Sequence, residues 1–331
     1  MRPLVAITAG DPAGIGPEIV LKALSDPRIY GVCRPVVVAG AQAMAATASS
    51  MRLTPVRRLD RLDAARFEPG TVDVLDVPVA GLQEVSMGKA QPVAGRAALA
   101  WVKKAVELAL QGYADAVCTA PLNKEAVVSS GEAGFRGHTE YLGELSGVPD
   151  PLTMFVVDDL RILFLTRHVS LAEAVSLVKA DRLKRFIPAA VTALSGLGFR
   201  EPRIAVAGLN PHSGESGMFG HEEQTEIRPA VAWAKDQGLN VVGPVPADSV
   251  FHQAKMGKYD AVISLYHDQG HIAAKTLDFE RTVSVTLALP FVRTSVDHGT
   301  AFDIAGKGMA SDVSMKEAIK VAADYSVRLA R

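Results

Sequence analysis

The stretch LVAITAGDPAGIGPEIVLKAL, residues 4–24, decides the architecture. Leu4–Thr8 is a short apolar run that reads as a buried strand. Gly10-Asp11-Pro12-Ala13-Gly14-Ile15-Gly16 then forces a turn, and Pro17 opens a helix through Leu24, where its missing N–H has no helical partner to lose. Strand, glycine turn and helix in immediate succession make the opening half of a β-α-β unit. Working outward, Pro35–Ala39 predicts a second buried strand. Residues 94–110 predict an amphipathic helix in which Ala98, Trp101, Ala105 and Leu108 share a face and Gly112 ends the element. Further strands are expected at 115–119, 152–157, 161–166, 203–208, 240–242, 261–266 and 282–287. Helices are expected near 170–179, 181–196, 222–237 and 314–329, the first opened by the capping box Ser170-Leu171-Ala172-Glu173. Residues 43–75 show no clear period, and Arg57 to Arg66 reads as a solvated basic face.

Alternating strands and helices imply mostly parallel sheet covered by helices, an α/β fold. No low-complexity linker marks a boundary, so two units would be joined through sheet or helices, with a cleft between them. The 331 residues suffice for one large domain or two of roughly 150 residues. A chain 48% hydrophobic and 21% charged is not generally disordered. Lys+Arg 35 against Asp+Glu 36 leaves no electrostatic footprint for nucleic acid or an anionic membrane, though a local basic pocket remains open. Cys33 and Cys118 lie far apart with no CxxC, which excludes a disulfide framework or zinc ribbon and reads as two reduced thiols. No stretch approaches about 18 apolar residues, and Leu4–Ala9 is too short for a signal segment, so the expectation is a soluble cytoplasmic protein.

The first glycine turn fails as a Rossmann fingerprint. Gly14 and Gly16 have the right spacing, but position 19 is Ile and the next strand ends Ala39-Gly40 without a carboxylate for a ribose. The turn reads instead as a tight bend with Asp11 and Glu18 facing a cleft. Three of the eight histidines lie just beyond expected strand ends: His168, His212 and His267. Ligands bind outside the carboxyl ends of such strands. One such histidine reads as a hydrogen-bonded structural residue, whereas three at equivalent positions also describe a divalent-metal site. Gly137-His138-Thr139-Glu140, at a helix start, offers donors for a carboxylate or phosphate. Lys275 and Arg293 each read alone as surface charges; together with the histidines they suggest a pocket for a phosphorylated acid. The last glycine-punctuated segment, Asp297-His298-Gly299-Thr300-Ala301-Phe302-Asp303-Ile304-Ala305-Gly306-Lys307-Gly308, resembles the loop that holds the adenosine part of NAD in isocitrate and isopropylmalate dehydrogenases.

Seven ordered motifs carry a wider resemblance: GDPAGIGPE (10–18), APLNK (120–124), GHTE (137–140), LNPHSGE (209–215), PADS (246–249), YHDQGH (266–271) and LPFVRTSVDHGTAFDIAGKG (289–308). Together they look like the 4-hydroxythreonine-4-phosphate dehydrogenase family. The resemblance implies a homodimer of isocitrate-dehydrogenase-like α/β/α subunits with shared active sites. One subdomain is expected over 1–125 plus 270–331 with the NAD loop, and a second over 126–269 with the metal and dimer contacts. It further implies metal ligands at His168, His212 and His267, one from the partner subunit, for zinc, magnesium or cobalt. Substrate would be held by His138, Thr139, Lys275, Ser284 and Arg293, and NAD by Asp297, His298, Gly299, Thr300, Asp303 and Gly306. Lys275 or Asp248 would relay the proton. Ser284 stands where biosynthetic members carry Asn, which points to a branch acting on 4-phospho-D-threonate or 4-phospho-D-erythronate rather than 4-phosphooxy-L-threonine. The implied reaction is NAD-linked oxidation followed by decarboxylation. The alternatives are a terephthalate-type cis-dihydrodiol dehydrogenase, or a non-redox metal phosphatase or phospho-acid-binding protein.

Overall fold

A computed structural model describes residues 2–329. In chain order its strands are β1 (Leu4–Thr8), β2 (Arg34–Ala39), β3 (Val56–Leu59), β4 (Val72–Asp76), β5 (Ala116–Thr119), β6 (Leu152–Val157), β7 (Leu160–Phe164), β8 (Ile204–Ala207), β9 (Val241–Val245), β10 (Ala261–Ser264), β11 (Val283–Leu287) and β12 (Val292–Val296). They fall into two units. The first comprises the chain through Pro151 together with the segment from Leu289 onward; the second is Leu152–Ala288.

In the first unit the strand order is β3-β4-β2-β1-β5-β12, and the pairings are parallel throughout. Every residue of β1 is buried. Since successive side chains point to opposite faces, both faces of that strand are covered, which is why it reads as a continuous apolar run. The helix Pro92–Leu110 packs on β1 and β2, and Val313–Leu329 packs on β5 and β12. Trp101 is fully buried and its indole N–H donates to the Val77 carbonyl at 3.0 Å. The aperiodic stretch 43–75 holds the end of a helix, Ala41–Met51, followed by β3 and β4. β3 is short and borders the sheet, with only Leu59 buried, so periodicity had little to report. Arg57 is no solvated charge: its Nε donates at 2.6 Å to the buried carboxylate of Asp73.

In the second unit the order is β11-β6-β7-β10-β8-β9. β11, β6 and β7 form an antiparallel meander, whereas β7, β10, β8 and β9 run parallel. Pro244 lies in the border strand β9, the place where a missing ladder donor is tolerated. The core gathers Phe155, Leu160, Ile162, Phe164, Val250 and Val262. Ser170 caps the helix Leu171–Leu177, its Oγ accepting from the Glu173 N–H at 3.2 Å, as the capping box predicts. The unit boundaries fall at 152 and 289 rather than near 126 and 270. The helices Lys124–Ser129 and His138–Ser146 pack on Pro92–Leu110, while His267–Leu277 and β11 both bind β6.

Gly95 shows how close the helices of the first unit come. A Cβ there would lie 2.1 Å from the Ala126 carbonyl oxygen and 2.7 Å from the Val127 Cα. Gly95→Ala should therefore destabilise by about 1–3 kcal/mol, the usual cost of overpacking against backbone. Gly31→Ala, in the helix Pro27–Val32 with nothing within 4 Å of its Cβ position, should be neutral or stabilising. Chemical-denaturation midpoints of the two variants check the contrast.

Candidate functional site

β7, β10 and β8 are neighbours and parallel, so their carboxyl ends open along one edge of the second unit. His168 follows β7, His267 follows β10 and His212 follows β8. A run of hydrogen bonds ties these ends together. The Thr166 hydroxyl donates to the Leu265 carbonyl at 2.8 Å, and the Leu265 N–H donates to Gln269 Oε1 at 2.7 Å. Gln269 Nε2 then donates to the Gly208 carbonyl at 2.8 Å. Gln269 is buried, so one amide side chain satisfies a backbone group at each of two histidine-bearing ends.

His267 opens the helix His267–Leu277, and its Nδ1 lies 2.6 Å from Asp268 Oδ1, which leaves Nε2 to a ligand. Its ring stacks on His271, with centroids 3.5 Å apart and planes 13° apart. His271 meets Phe155 and Phe164 at 4.4 and 4.6 Å. The rings of His168 and His267 are 6.0 Å apart. His212 does not join them: among the described residues no three His, Cys, Asp or Glu side chains gather as a metal-holding group. Exposed apolar residues accompany all three histidines along the chain: Val169 and Leu171, Met218 and Phe219, and Ile272.

Lys275 falls on the same helix stripe as His267 and His271, at intervals of four, with its Nζ 5.1 Å above the Phe279 ring. Ser284 of β11 stands directly opposite Phe155 of β6, and the Phe155 ring meets His271. Opposed residues of an antiparallel pair share a face, so Ser284 belongs to the same side. Asp248 is exposed in the first turn of the helix Ala247–Lys255.

In the first unit a buried cation lies beside a helix start. Arg293 lies inside β12 and is 2% exposed, so it is not the surface charge that its isolated position suggests. Its Nη2 donates to Thr119 Oγ1 of β5 at 2.6 Å. Burial pulls its pKa down to about 10, which still leaves it cationic at neutral pH. His138 begins the helix His138–Ser146. Burial, and then the Arg293 charge, hold its pKa well below the ordinary histidine value, so the imidazole is neutral. Its Nε2 is sealed from solvent and has no hydrogen-bond partner in the protein. Thr139 is half-buried in the same first turn, where helix N–H groups point outward. A buried cation, an unspent imidazole nitrogen and a helix start together suit a phosphate.

The Asp297–Gly308 segment follows β12 and is pinned at both ends. The Ile15 N–H donates to the Thr300 carbonyl at 3.0 Å. Lys22 Nζ donates to the carbonyls of Gly308 and Ala310 at 2.9 and 2.8 Å. Glu18 Oε1 accepts from Lys22 Nζ and from the Ala310 N–H, at 2.7 and 2.9 Å. Glu18 and Asp11 are thus internal struts and face no cleft: both are buried, and Asp11 Oδ1 accepts from the Ala13 N–H at 2.8 Å. Burial raises the Asp11 pKa to about 6. Thr300 is buried too, Asp297 and His298 are half-buried, and Gly299, Asp303 and Gly306 are exposed. Above Gly299 and Gly308 nothing lies within 4 Å of a Cβ position, so a flat ligand can approach the backbone there. Beside this segment opens a cavity of about 710 Å³, lined among others by Pro12, Gln42, Arg58, Asp76, Leu82 and Met87, and Met87 also packs over Gly306.

Sequence reasoning passed over Thr119, Gln269 and His271. His271 was detectable, since its spacing of four from His267 puts both on one helix face. Thr119 meets Arg293 across the sheet, and Gln269 joins two strand ends only through its bond to Gly208, sixty-one residues back.

Comparisons with known proteins match the chain over nearly its whole length. Residues 31–322 match the family model described as pyridoxal phosphate biosynthetic protein PdxA. A protein of Symbiobacterium thermophilum that carries the provisional name D-threonate 4-phosphate dehydrogenase is 54% identical, over 100% of this chain and 98% of its own length. The crystal structure of 4-hydroxythreonine-4-phosphate dehydrogenase from Klebsiella pneumoniae superposes with a TM-score of 0.91 at 42% identity, covering 98% of each chain. A terephthalate 1,2-cis-dihydrodiol dehydrogenase from Burkholderia xenovorans LB400 is more distant, with a TM-score of 0.66 at 29% identity over 98% of each chain. With the family model matching residues 31–322 and a relative 54% identical over its whole length, the chain belongs to the PdxA family.

Proposed function

We propose that this protein is a dehydrogenase acting on a 4-phosphorylated hydroxy acid, with 4-phospho-D-threonate or its erythronate epimer as substrate. The observation that carries this reading is the Arg293–His138 cradle: a cation at 2% exposure beside a neutral imidazole whose Nε2 has no protein partner. Arginine grips phosphate bidentately, and the helix start at His138 adds N–H donors. The relative at 54% identity carries the name of a dehydrogenase for a phosphorylated acid, whereas the terephthalate-type structure shares 29%, which favours the phosphorylated substrate over the dihydrodiol. A phosphatase or simple binding protein would have no use for the backbone platform at Asp297–Gly308.

The proposal extends to a divalent metal held by His168, His212 and His267, and to NAD lying along Asp297–Gly308. A bound divalent metal would polarise the secondary alcohol and ease loss of its proton. NAD would accept the hydride, and the resulting β-keto acid would lose CO2. The chain's own residues bind and orient. Arg293, His138 and Thr139 fix the phosphate end, and the reacting carbon is positioned by that anchorage. Lys275, on the helix stripe of His267 and His271, receives the departing proton in preference to the exposed Asp248. The backbone at Gly299 and Gly308 admits the dinucleotide closely, and the adjoining cavity has room for its adenosine end. Within one chain His168 and His267 stand together without His212, and exposed apolar residues accompany all three. Both facts support a homodimer in which a second copy supplies His212. Among the described residues no helix is long and apolar enough to cross a membrane.

Exhaustive chelation should abolish NADH formation, and a divalent metal should restore it. His212→Ala should lower the rate by on the order of 10³-fold or more. Mixing His212→Ala subunits with either His168→Ala or His267→Ala subunits should recover activity, because one site of each mixed dimer regains all three ligands. Absence of recovery despite demonstrated subunit exchange would mean that each chain supplies its own set.

Substrate choice is tested at Ser284, whose side chain is shorter than asparagine and lacks an amide to pair with a substrate group. An unmet buried polar group costs about 1–3 kcal/mol, so this position can discriminate. Wild-type protein should turn over 4-phospho-D-threonate or 4-phospho-D-erythronate at least as well as 4-phosphooxy-L-threonine. Ser284→Asn should move the kcat/KM ratio towards the amino acid. A strong wild-type preference for the amino acid, unchanged in Ser284→Asn, would return the protein to the biosynthetic branch.

A further inference from the structure

His212 sits in an unusual piece of backbone. Five consecutive residues, His212, Ser213, Gly214, Glu215 and Ser216, have φ of 49°, 55°, 79°, 39° and 61°. Four of them are not glycine, and each carries the steric penalty of the left-handed region. Such a segment persists only when its surroundings over-determine it.

One side chain does most of that here. Glu223, at 0% exposure, opens the π-helical turn Glu223–Ile227. Its Oε1 accepts from the Leu209 and Asn210 N–H groups at 2.8 and 2.6 Å. Its Oε2 accepts from Asn210 Nδ2 at 2.9 Å, and that same nitrogen donates to Glu222 Oε2 at 2.7 Å. The carboxylate thus grips the chain just before the left-handed turn. It also abuts the middle of the turn: a Cβ on Gly214, at φ +79°, would lie 2.8 Å from Glu223 Oε2. The turn closes on itself through the Ser213 N–H to the Asn210 carbonyl at 3.1 Å and the Phe219 N–H to the Gly214 carbonyl at 3.3 Å. Among the described hydrogen bonds Glu222 reaches the same segment only through the Asn210 side chain, whereas Glu223 alone accepts from its main-chain N–H groups.

We propose that Glu223 is the positioning residue for His212: it holds the strained turn in the one conformation that presents this imidazole as a ligand, and so sets the protein's metal affinity. The inference rests on the reading of His212 as a metal ligand. Glu223 touches neither metal nor substrate and acts through the backbone of the turn. Glu223→Gln separates this role from mere filling of space. The amide oxygen can still accept from both main-chain N–H groups, but the amide nitrogen then faces Asn210 Nδ2, donor against donor. The bond to the Asn210 side chain is lost while the volume is kept.

The test uses the full chain, freed of metal, with Co2+ titration followed by its visible absorption, thermal unfolding, and the NMR signal of the His212 ring identified by its loss in His212→Ala. Glu223→Gln should lower Co2+ affinity by about 10–100-fold, the usual effect of removing a ligand's support. Its kcat should recover as metal is raised, its melting should stay close to wild type, and its His212 signal should shift or double. Glu226→Gln is the control: that carboxylate leaves the same turn but binds the Ala180 N–H and Lys179, so Co2+ affinity should not change. Wild-type affinity and an unmoved His212 signal in folded Glu223→Gln would overturn the proposal. Should Glu223→Gln fail to fold, Asn210→Ala takes its place with the same expected fall and the same overturning result. If wild-type protein binds no Co2+, the metal reading fails, and the His212 signal in the variants still decides whether Glu223 positions that ring.

Discussion

Parallel pairing between strands is the constraint from which the functional layout follows. Strands hydrogen-bonded in parallel end together, so the segments leaving their carboxyl ends emerge on one edge of the sheet, whatever their distance in sequence. In the second unit this places the segments after β7, β10 and β8 side by side and brings in His168, His267 and His212. In the first it sets the Asp11 turn after β1, Thr119 at the end of β5 and Asp297 after β12 on neighbouring strands. Covering helices bury both faces of the central strands, so the edge is where polar side chains can do chemistry.

Burial then sorts the polar groups that reach the edge. Asp11, Glu18 and Glu223 are buried carboxylates that accept from backbone N–H groups, and each fastens a loop. Arg293 and His138 differ. Arg293 donates to the Thr119 hydroxyl and feels the Glu140 charge, and His138 keeps an enclosed nitrogen without a hydrogen-bond partner. Taking a cation out of water is expensive unless an anion or a full set of hydrogen bonds compensates. The loop-fastening carboxylates are bonded to main-chain N–H groups, whereas the proposed phosphate would use the enclosed nitrogen of His138.

Much of this was legible in the chain itself. β1 and β2, the helix expected at 94–110 and the Ser170 cap all follow from local rules, because their signals are apolar runs, a helical period and a cap three residues from its partner. β3 and β4 were not legible, since a short border strand with one buried residue has no periodicity to show. Arg293 looked like a surface charge because nothing within its own segment reveals that it lies inside β12. The Glu223 clamp was equally hidden, as its partners lie thirteen and fourteen residues back, beyond any local pattern.

The sequence by itself therefore determined the α/β class, the strand-end location of the three histidines and the family, all of which depend on short-range periodicity and ordered motifs. Only the tertiary structure decided which of these residues act together. It paired His168 with His267 and left His212 apart on a left-handed turn, made His271 the stacking partner of His267, and sank Arg293 beside His138. The physical reason is that burial, stacking and desolvation are properties of neighbours in space, and parallel crossover connections make those neighbours distant in sequence.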